Sequence, residues 1–215
     1  MNETAGSKTP SAERLFLGIA LVVALFFLAG GIFLIFALNH REKVSSIPPD
    51  RPRELVEFSL TDRTGRTVTR AELAGKILVV DFLLTSCSLT CPEVNRRMAE
   101  IQQRTTGQPD VRFVSLTVDP RTDTPAALMK FGERFGADTN RWLMLTGDKT
   151  VLHGLIATSF LAQDLDDPFT YMPGNFSHTE RIAVVDARGN VRSYFDGMRP
   201  ETTAAVIAEI ARLRK

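Results

Sequence analysis

The chain has 215 residues, 26 Lys and Arg against 25 Asp and Glu, and a net charge of +1. Residues 1–45 hold four of the basic and three of the acidic groups, leaving 22 of each sign in the remainder. That neutral balance excludes the basic field a nucleic-acid-binding domain needs.

Residues 1–14 form a short N-terminal segment, and Leu15 to Leu38 then run for 24 residues without a charge. Such a run is long enough to cross a hydrocarbon core of about 30 Å as one helix. Phe33-Leu34-Ile35-Phe36 carries it past Ala29-Gly30-Gly31, so it reads as an uncleaved transmembrane anchor rather than a removed signal. Lys8 and Arg14 precede the span, and Arg41, Lys43, Arg51 and Arg53 follow it. By the positive-inside rule this local count points against export of the C-terminal part. Residues 39–53, with Pro48-Pro49 and Pro52, read as a stiff tether to a single domain over residues 54–215.

Two extended pieces near Val56 to Leu60 and Arg66 to Thr69 flank Asp62-Arg63-Thr64-Gly65 and predict an N-terminal β-hairpin. One helical turn follows at Arg70 to Ala74. Ile77 to Leu83 is apolar except for Asp81, the pattern of a strand covered on both faces. It leads into Ser86-Cys87-Ser88-Leu89-Thr90-Cys91-Pro92, which holds the only two cysteines of the chain. Val94, Met98, Ile101 and Gln102 have helical spacing, and Val111 to Val118 is a second β-branched strand. Asp119 to Pro125 is a loop closed by Thr124 as N-cap and Pro125 at the first helical position. Helix, strand and helix recur at Ala126 to Phe135, Trp142 to Leu145 and Lys149 to Phe160. Ala162 to Ser177 has no period and reads as a long loop ending at His178. Glu180 to Asp186 and Val191 to Asp196 form a second hairpin, and Pro200 to Arg214 an amphipathic helix. Alternating strands and helices followed by an antiparallel pair imply an α/β fold, a mixed sheet with flanking helices.

The cysteine pair is chemical rather than structural, because a disulfide across so short a loop gains little entropy. At a sheet edge the two sulfurs can bind metal or exchange disulfides, and the helix start at Cys91 predicts that its thiolate is favoured. Two thiolates and an imidazole make a soft set suited to Cu(I), and to Cu(II) with a weak extra ligand. His178 is the candidate imidazole, although a histidine at that distance is, from spacing alone, more often a surface or core residue. His153 reads as a partly exposed helix residue and His40 as an interfacial one. Met172 offers a thioether in the long loop, while Met129, Met144 and Met198 read as packing. Asp119 is either a turn cap or a partner of the cysteine site, and Asp81 either tunes a thiol or satisfies buried backbone.

Phe82-Leu83-Leu84-Thr85-Ser86-Cys87-x-x-x-Cys91-Pro92, Phe113 to Pro125, Arg134-Phe135-Gly136-Ala137-Asp138, Leu145-Thr146-Gly147-Asp148 and Ser177-His178-Thr179 together closely resemble the Sco/SenC family. The resemblance implies a thioredoxin-like domain on a single-pass anchor, facing away from the cytoplasm. The first segment, with Glu3 and Glu13 and little arginine, is unlike a mitochondrial transit peptide and reads as that of a bacterial inner-membrane protein, whose domain would face the periplasm. The resemblance further implies a copper chaperone with Cys87, Cys91 and His178 as metal ligands, Cys87 and Cys91 also forming a redox-active pair. The implied recipient is the binuclear copper site of cytochrome c oxidase subunit II or another copper enzyme, served by an upstream copper donor and a thiol reductant. Many members have Cys-Pro after the first cysteine and an aspartate before the histidine, whereas this chain has Cys87-Ser88 and Ser177-His178. Loss of that acid removes a partner for the imidazole and alters copper affinity or oxidation-state preference. Two other readings stand beside it: a membrane-anchored thiol-disulfide oxidoreductase or peroxide-reducing enzyme, and an adaptor module with incidental cysteines. Three residues between the cysteines and no tryptophan before Cys87 depart from the Cys-x-x-Cys reductase pattern and favour copper.

Overall fold

Strand-forming runs and helical faces organise residues 53–160 and 180–215 around one seven-stranded sheet in the computed structural model, which otherwise describes only residues 20–21, 23–28 and 30–31. The chain divides into two units, Met1–Lys43 and Val44–Lys215. Within the first, the described residues are helical and exposed. No helix of the described residues is long and apolar enough to cross a membrane, and most of the expected span, residues 15–38, lies outside them. The expected tether also lies outside, except for Arg53.

In the second unit the hairpin β1 (Ser59–Asp62) and β2 (Thr67–Thr69) leads to a single helical turn, α1 (Arg70–Leu73). Then come β3 (Ile77–Leu83), α2 (Thr90–Arg104), β4 (Val111–Thr117), α3 (Pro125–Glu133), β5 (Trp142–Thr146) and α4 (Lys149–Leu155). The hairpin β6 (Arg181–Val185) and β7 (Val191–Asp196) and the helix α5 (Thr202–Leu213) complete the chain. The strand order is β2-β1-β5-β4-β3-β6-β7. β3, β4 and β5 are parallel, Val79 standing beside Phe113 and Phe113 beside Trp142, whereas β6 runs antiparallel to β3.

The apolar character of β3, broken only by Asp81, has a simple cause: every one of its residues is buried. Ile77, Val79 and Leu83 pack with Val94, Met98 and Ile101 of α2, Leu128 and Phe131 of α3, and Val206 and Ile210 of α5. Leu78, Val80 and Phe82 pack on the opposite face with Leu73, Leu152, Leu155 and Phe160. The alternation along one strand therefore builds both cores. It also holds the C-terminal end of β3 rigidly, and the cysteines follow directly.

Two expectations need revision. β3 is an interior strand, flanked by β4 and β6, so the cysteines sit at the end of an interior strand rather than at a sheet edge. The helix expected over Lys149 to Phe160 becomes a wider π-helical turn at Ile156–Phe160. There Ser159 Oγ accepts from Val56 N at 3.0 Å and the Phe160 carbonyl accepts from Tyr194 Oη at 2.5 Å, which ties the turn to the segment before β1 and to β7.

Asp148 caps α4 by accepting from the amides of Thr150 and Val151, and Thr124 caps α3 by accepting from Ala127 N. A less visible constraint on α3 is Arg63, a buried guanidinium whose Nη2 donates to the carbonyls of Ala137 at 2.7 Å and Trp142 at 3.3 Å. A Cβ at Gly132 would stand 1.8 Å from Arg63 Nη1, whereas a Cβ at exposed Gly154 in α4 meets nothing within 4 Å. Alanine contributes up to about 1 kcal/mol of helix propensity at either position. Displacing a hydrogen-bonded buried guanidinium costs about 2–4 kcal/mol, so the penalty dominates at Gly132. Urea unfolding should show Gly132→Ala destabilised by about 1–3 kcal/mol and Gly154→Ala unchanged or stabilised.

Candidate metal centre

The carbonyl of Leu84, the residue after β3, accepts from Cys87 N at 3.0 Å, closing a tight turn that presents Cys87. α2 then begins at Thr90 with Leu89 as N-cap, which supplies no side-chain cap. Cys91 therefore lies inside the first turn of α2, fully buried, while Cys87 is half-buried. Both are free thiols.

Their ionisation differs in a way the helix-start argument did not anticipate. Burial acts to raise the Cys87 pKa, but the backbone amides of Cys91, Leu89 and Thr90 and the Cys91 thiol all stabilise its thiolate, and the balance lowers it to about 7. Cys91 is pushed up to about 12, first by burial, although the Leu84 backbone opposes this, and then by the Cys87 sulfur and the Asp81 carboxylate. The helix-start amides thus serve the preceding cysteine, Cys87, rather than the one within the helix.

Asp81 is fully buried. Ser115 Oγ donates to its Oδ1, and Trp142 Nε1 donates to the same hydroxyl at 2.7 Å. Burial raises its pKa to about 7 against the hydrogen bonds from Ser115, its own backbone and Asn95. It therefore ties the cysteine site electrically to the core while also satisfying buried polar groups.

Asp119 resolves as a turn residue. It accepts from Thr122 Oγ1 at 2.6 Å and Arg121 N at 3.3 Å, and the Thr122 hydroxyl lowers its pKa. The acid that reaches the cysteine loop is Asp123, which the sequence reading treated only as loop; its oxygens accept from the amide of Thr85 at 3.2 and 3.4 Å. A signal was present in Thr85 and Asp123, each close to a strand end, but the spacing of 38 residues between them is meaningful only once β3 and β4 pair. His153 is half-buried on α4, as expected, and its imidazole bonds the backbone of Val118. His178, Met172, His40 and the loop 162–177 lie outside the described residues.

The structure thus brings Cys87 and Cys91 together but does not place His178. Among the described residues no group of three or more His, Cys, Asp or Glu could hold a metal ion. Two neighbouring sulfurs, one of them ionised near neutral pH, nevertheless form a donor pair that fits a soft ion such as Cu(I).

A mixed sheet with helices on both faces and a pair of free thiols after an interior strand define a thioredoxin-like α/β domain. The SCO1/SenC family profile matches residues 48–215, and the chain belongs to that family. It is 27% identical over 187 residues to a SCO2-like protein of Rickettsia felis, covering 82% of this chain and 88% of the relative. It is 32% identical over 95 residues to the SCO1 homologue of Bacillus subtilis, 44% of this chain and about half, 49%, of that protein's length. A SCO1/SenC family lipoprotein from Bacillus anthracis superposes with a TM-score of 0.65 at 27% identity, covering 77% of this chain and 99% of the other. Bradyrhizobium japonicum ScoI, solved with copper bound, gives 0.57 at 25% identity over 74% and 98% of the two chains.

Proposed function

We propose that this protein is a copper chaperone that holds Cu(I) between Cys87, Cys91 and His178 and passes it to the binuclear copper site of cytochrome c oxidase subunit II or of a related copper enzyme. The observation that carries this reading is the pairing of Cys87 and Cys91 as free thiols just past the end of a fully buried interior strand. The copper-bound B. japonicum relative supports it. Copper is the cargo: it arrives from a donor protein and leaves by stepwise thiolate exchange. Each incoming thiol of the recipient gives up its proton as Cys87 or Cys91 regains one, and the ion keeps its charge throughout. Residues 15–38 anchor the domain in the bacterial inner membrane, and the domain works on the periplasmic side.

The unequal thiols favour a second role at the same site. The Cys87 thiolate attacks a partner disulfide, and deprotonated Cys91 then displaces the partner from the mixed disulfide. The partner gains two electrons and emerges as a dithiol, while Cys87 and Cys91 become a disulfide. Such a step would reduce a recipient's cysteines before they take copper.

The test is an anaerobic Cu(I) titration of the full chain in detergent against a competing chelator, in the reduced and the disulfide form. The expected result is one tight copper per reduced chain and none in the oxidised chain. A reduced chain without a tight site would overturn the copper reading and leave disulfide exchange.

A further inference from the structure

Asp123 stands outside the proposed ligand set yet is the most firmly held polar group near it. It is 0% exposed. Its Oδ1 accepts from Thr85 N at 3.2 Å and from Thr85 Oγ1, and its Oδ2 accepts from Thr117 Oγ1, with Thr85 N also 3.4 Å from Oδ2. Thr117 Oγ1 in turn accepts from Asp119 N at 3.0 Å, which locks the loop that carries Asp123. Among the described residues the carboxylate forms no ion pair, so hydroxyl and amide donors alone compensate its burial.

Thr117 is the last residue of β4. Thr85 lies inside the Leu84 to Cys87 turn, one residue from the Leu84 backbone that contacts the Cys91 sulfur and two from Cys87. A single carboxylate thus joins the end of β4 to the turn from which both sulfurs are presented. We propose that Asp123 is a positioning residue for the dithiol: by holding Thr85 it fixes the turn that keeps Cys87 against the first amides of α2 and beside Cys91. The inference rests on the dithiol being the working site, and it applies equally to copper transfer and to disulfide exchange.

A carboxylate suits this task because both oxygens accept and neither donates, so three donors converge on it without competition. An asparagine replaces one acceptor by an amide group that faces donors. At Thr85, serine retains the amide and the hydroxyl, whereas valine retains the shape and loses the hydroxyl.

The test uses the reduced full chain in detergent with Asp123→Asn, Thr85→Val, Thr85→Ser and the double variant Asp123→Asn/Thr85→Val. Four properties are measured: melting temperature, the pH midpoint of Cys87 alkylation, the disulfide reduction potential and Cu(I) affinity. Loss of a supporting partner around a metal site typically costs 10- to 100-fold, so Asp123→Asn and Thr85→Val should lower copper affinity by about that much. Their alkylation midpoint should rise, because a loosened turn withdraws amides from the Cys87 thiolate. Thr85→Ser should stay within about twofold of the native protein, and the double variant should match the worse single one because both break one contact. Lower melting temperatures with an unchanged midpoint, potential and copper affinity would overturn the proposal and leave Asp123 a purely structural residue. Should Asp123→Asn fail to fold, the serine and valine variants at Thr85 decide. Should the native chain bind no copper, the chaperone reading fails, while the midpoint and the potential still test Asp123.

Discussion

Iodoacetamide at pH 7 should modify Cys87 of the reduced chain about 100 to 1000 times faster than Cys91. The pKa values of about 7 and about 12 set a thiolate ratio near 10⁵ at that pH. Intrinsic nucleophilicity works in the opposite direction, falling by about 0.4–0.5 of a decade for each unit by which the pKa falls, which returns between two and three decades to Cys91. Ionisation wins, and the burial of Cys91 widens the gap. The sign of the pH dependence follows from the lowered pKa: the Cys87 thiolate is present above about 7 and lost below it. Its alkylation should fall about tenfold per unit below pH 6 and level off above pH 8. Modification of Cys91 should still be rising at pH 10. Mass mapping of the labelled peptides over a pH series reads both curves, and equal rates or a faster Cys91 would refute the assignment of amides to Cys87.

The same asymmetry orders the chemistry. On the proposed reading Cys87, half-buried and the more readily ionised sulfur, would meet an incoming copper or disulfide first, and Cys91 would close the site after losing a proton. The Asp81 carboxyl, raised to about 7 by burial, adds to the cost of that second ionisation. A bound cation reverses the balance, because a coordinated thiol is deprotonated by its metal. Copper capture should therefore release protons, more of them below pH 7, where Cys87 is itself protonated.

What could be read in advance tracks where the deciding interactions are local. β3 was legible because burial on both faces leaves a run that is apolar but for Asp81, β4 because its β-branched and apolar residues Val111, Phe113, Val114 and Leu116 dominate it, and α3 because Thr124 and Pro125 mark its start within two residues. The cysteine pair was legible for the same reason, its four-residue spacing being local. The ionisation of the pair was not, because which sulfur receives the helix amides depends on the path of the turn at Leu84 to Cys87 rather than on distance along the chain. The role of Asp123 was hidden more deeply, its partner Thr85 being brought near only by the parallel pairing of β3 with β4. The π-helical turn is likewise held by Val56 and Tyr194, far away in sequence. His178 is a motif-level expectation that the described residues leave as a proposal.

That proposal makes the largest quantitative claim. Replacing an outer partner of a metal ligand costs 10- to 100-fold in affinity, so removal of a ligand itself must cost more. Cys87→Ser and Cys91→Ser should each lower Cu(I) affinity by more than about a hundredfold, since a serine hydroxyl neither ionises near neutral pH nor offers a soft donor. His178→Ala should act differently on the two oxidation states. Two thiolates still hold Cu(I), so its affinity falls less than in the serine variants. Cu(II) prefers a nitrogen donor and should lose at least about a hundredfold. Disulfide exchange supplies the control, because it needs both sulfurs and no imidazole: His178→Ala should exchange with a small disulfide within about twofold of the native rate, and either serine variant should not complete the reaction. Competition titrations with Cu(I) and Cu(II), run beside the exchange assay on the same preparations, separate the two activities. If His178→Ala left both copper affinities at their native values, His178 would not be a ligand and the third donor to the dithiol-bound copper would have to be sought elsewhere.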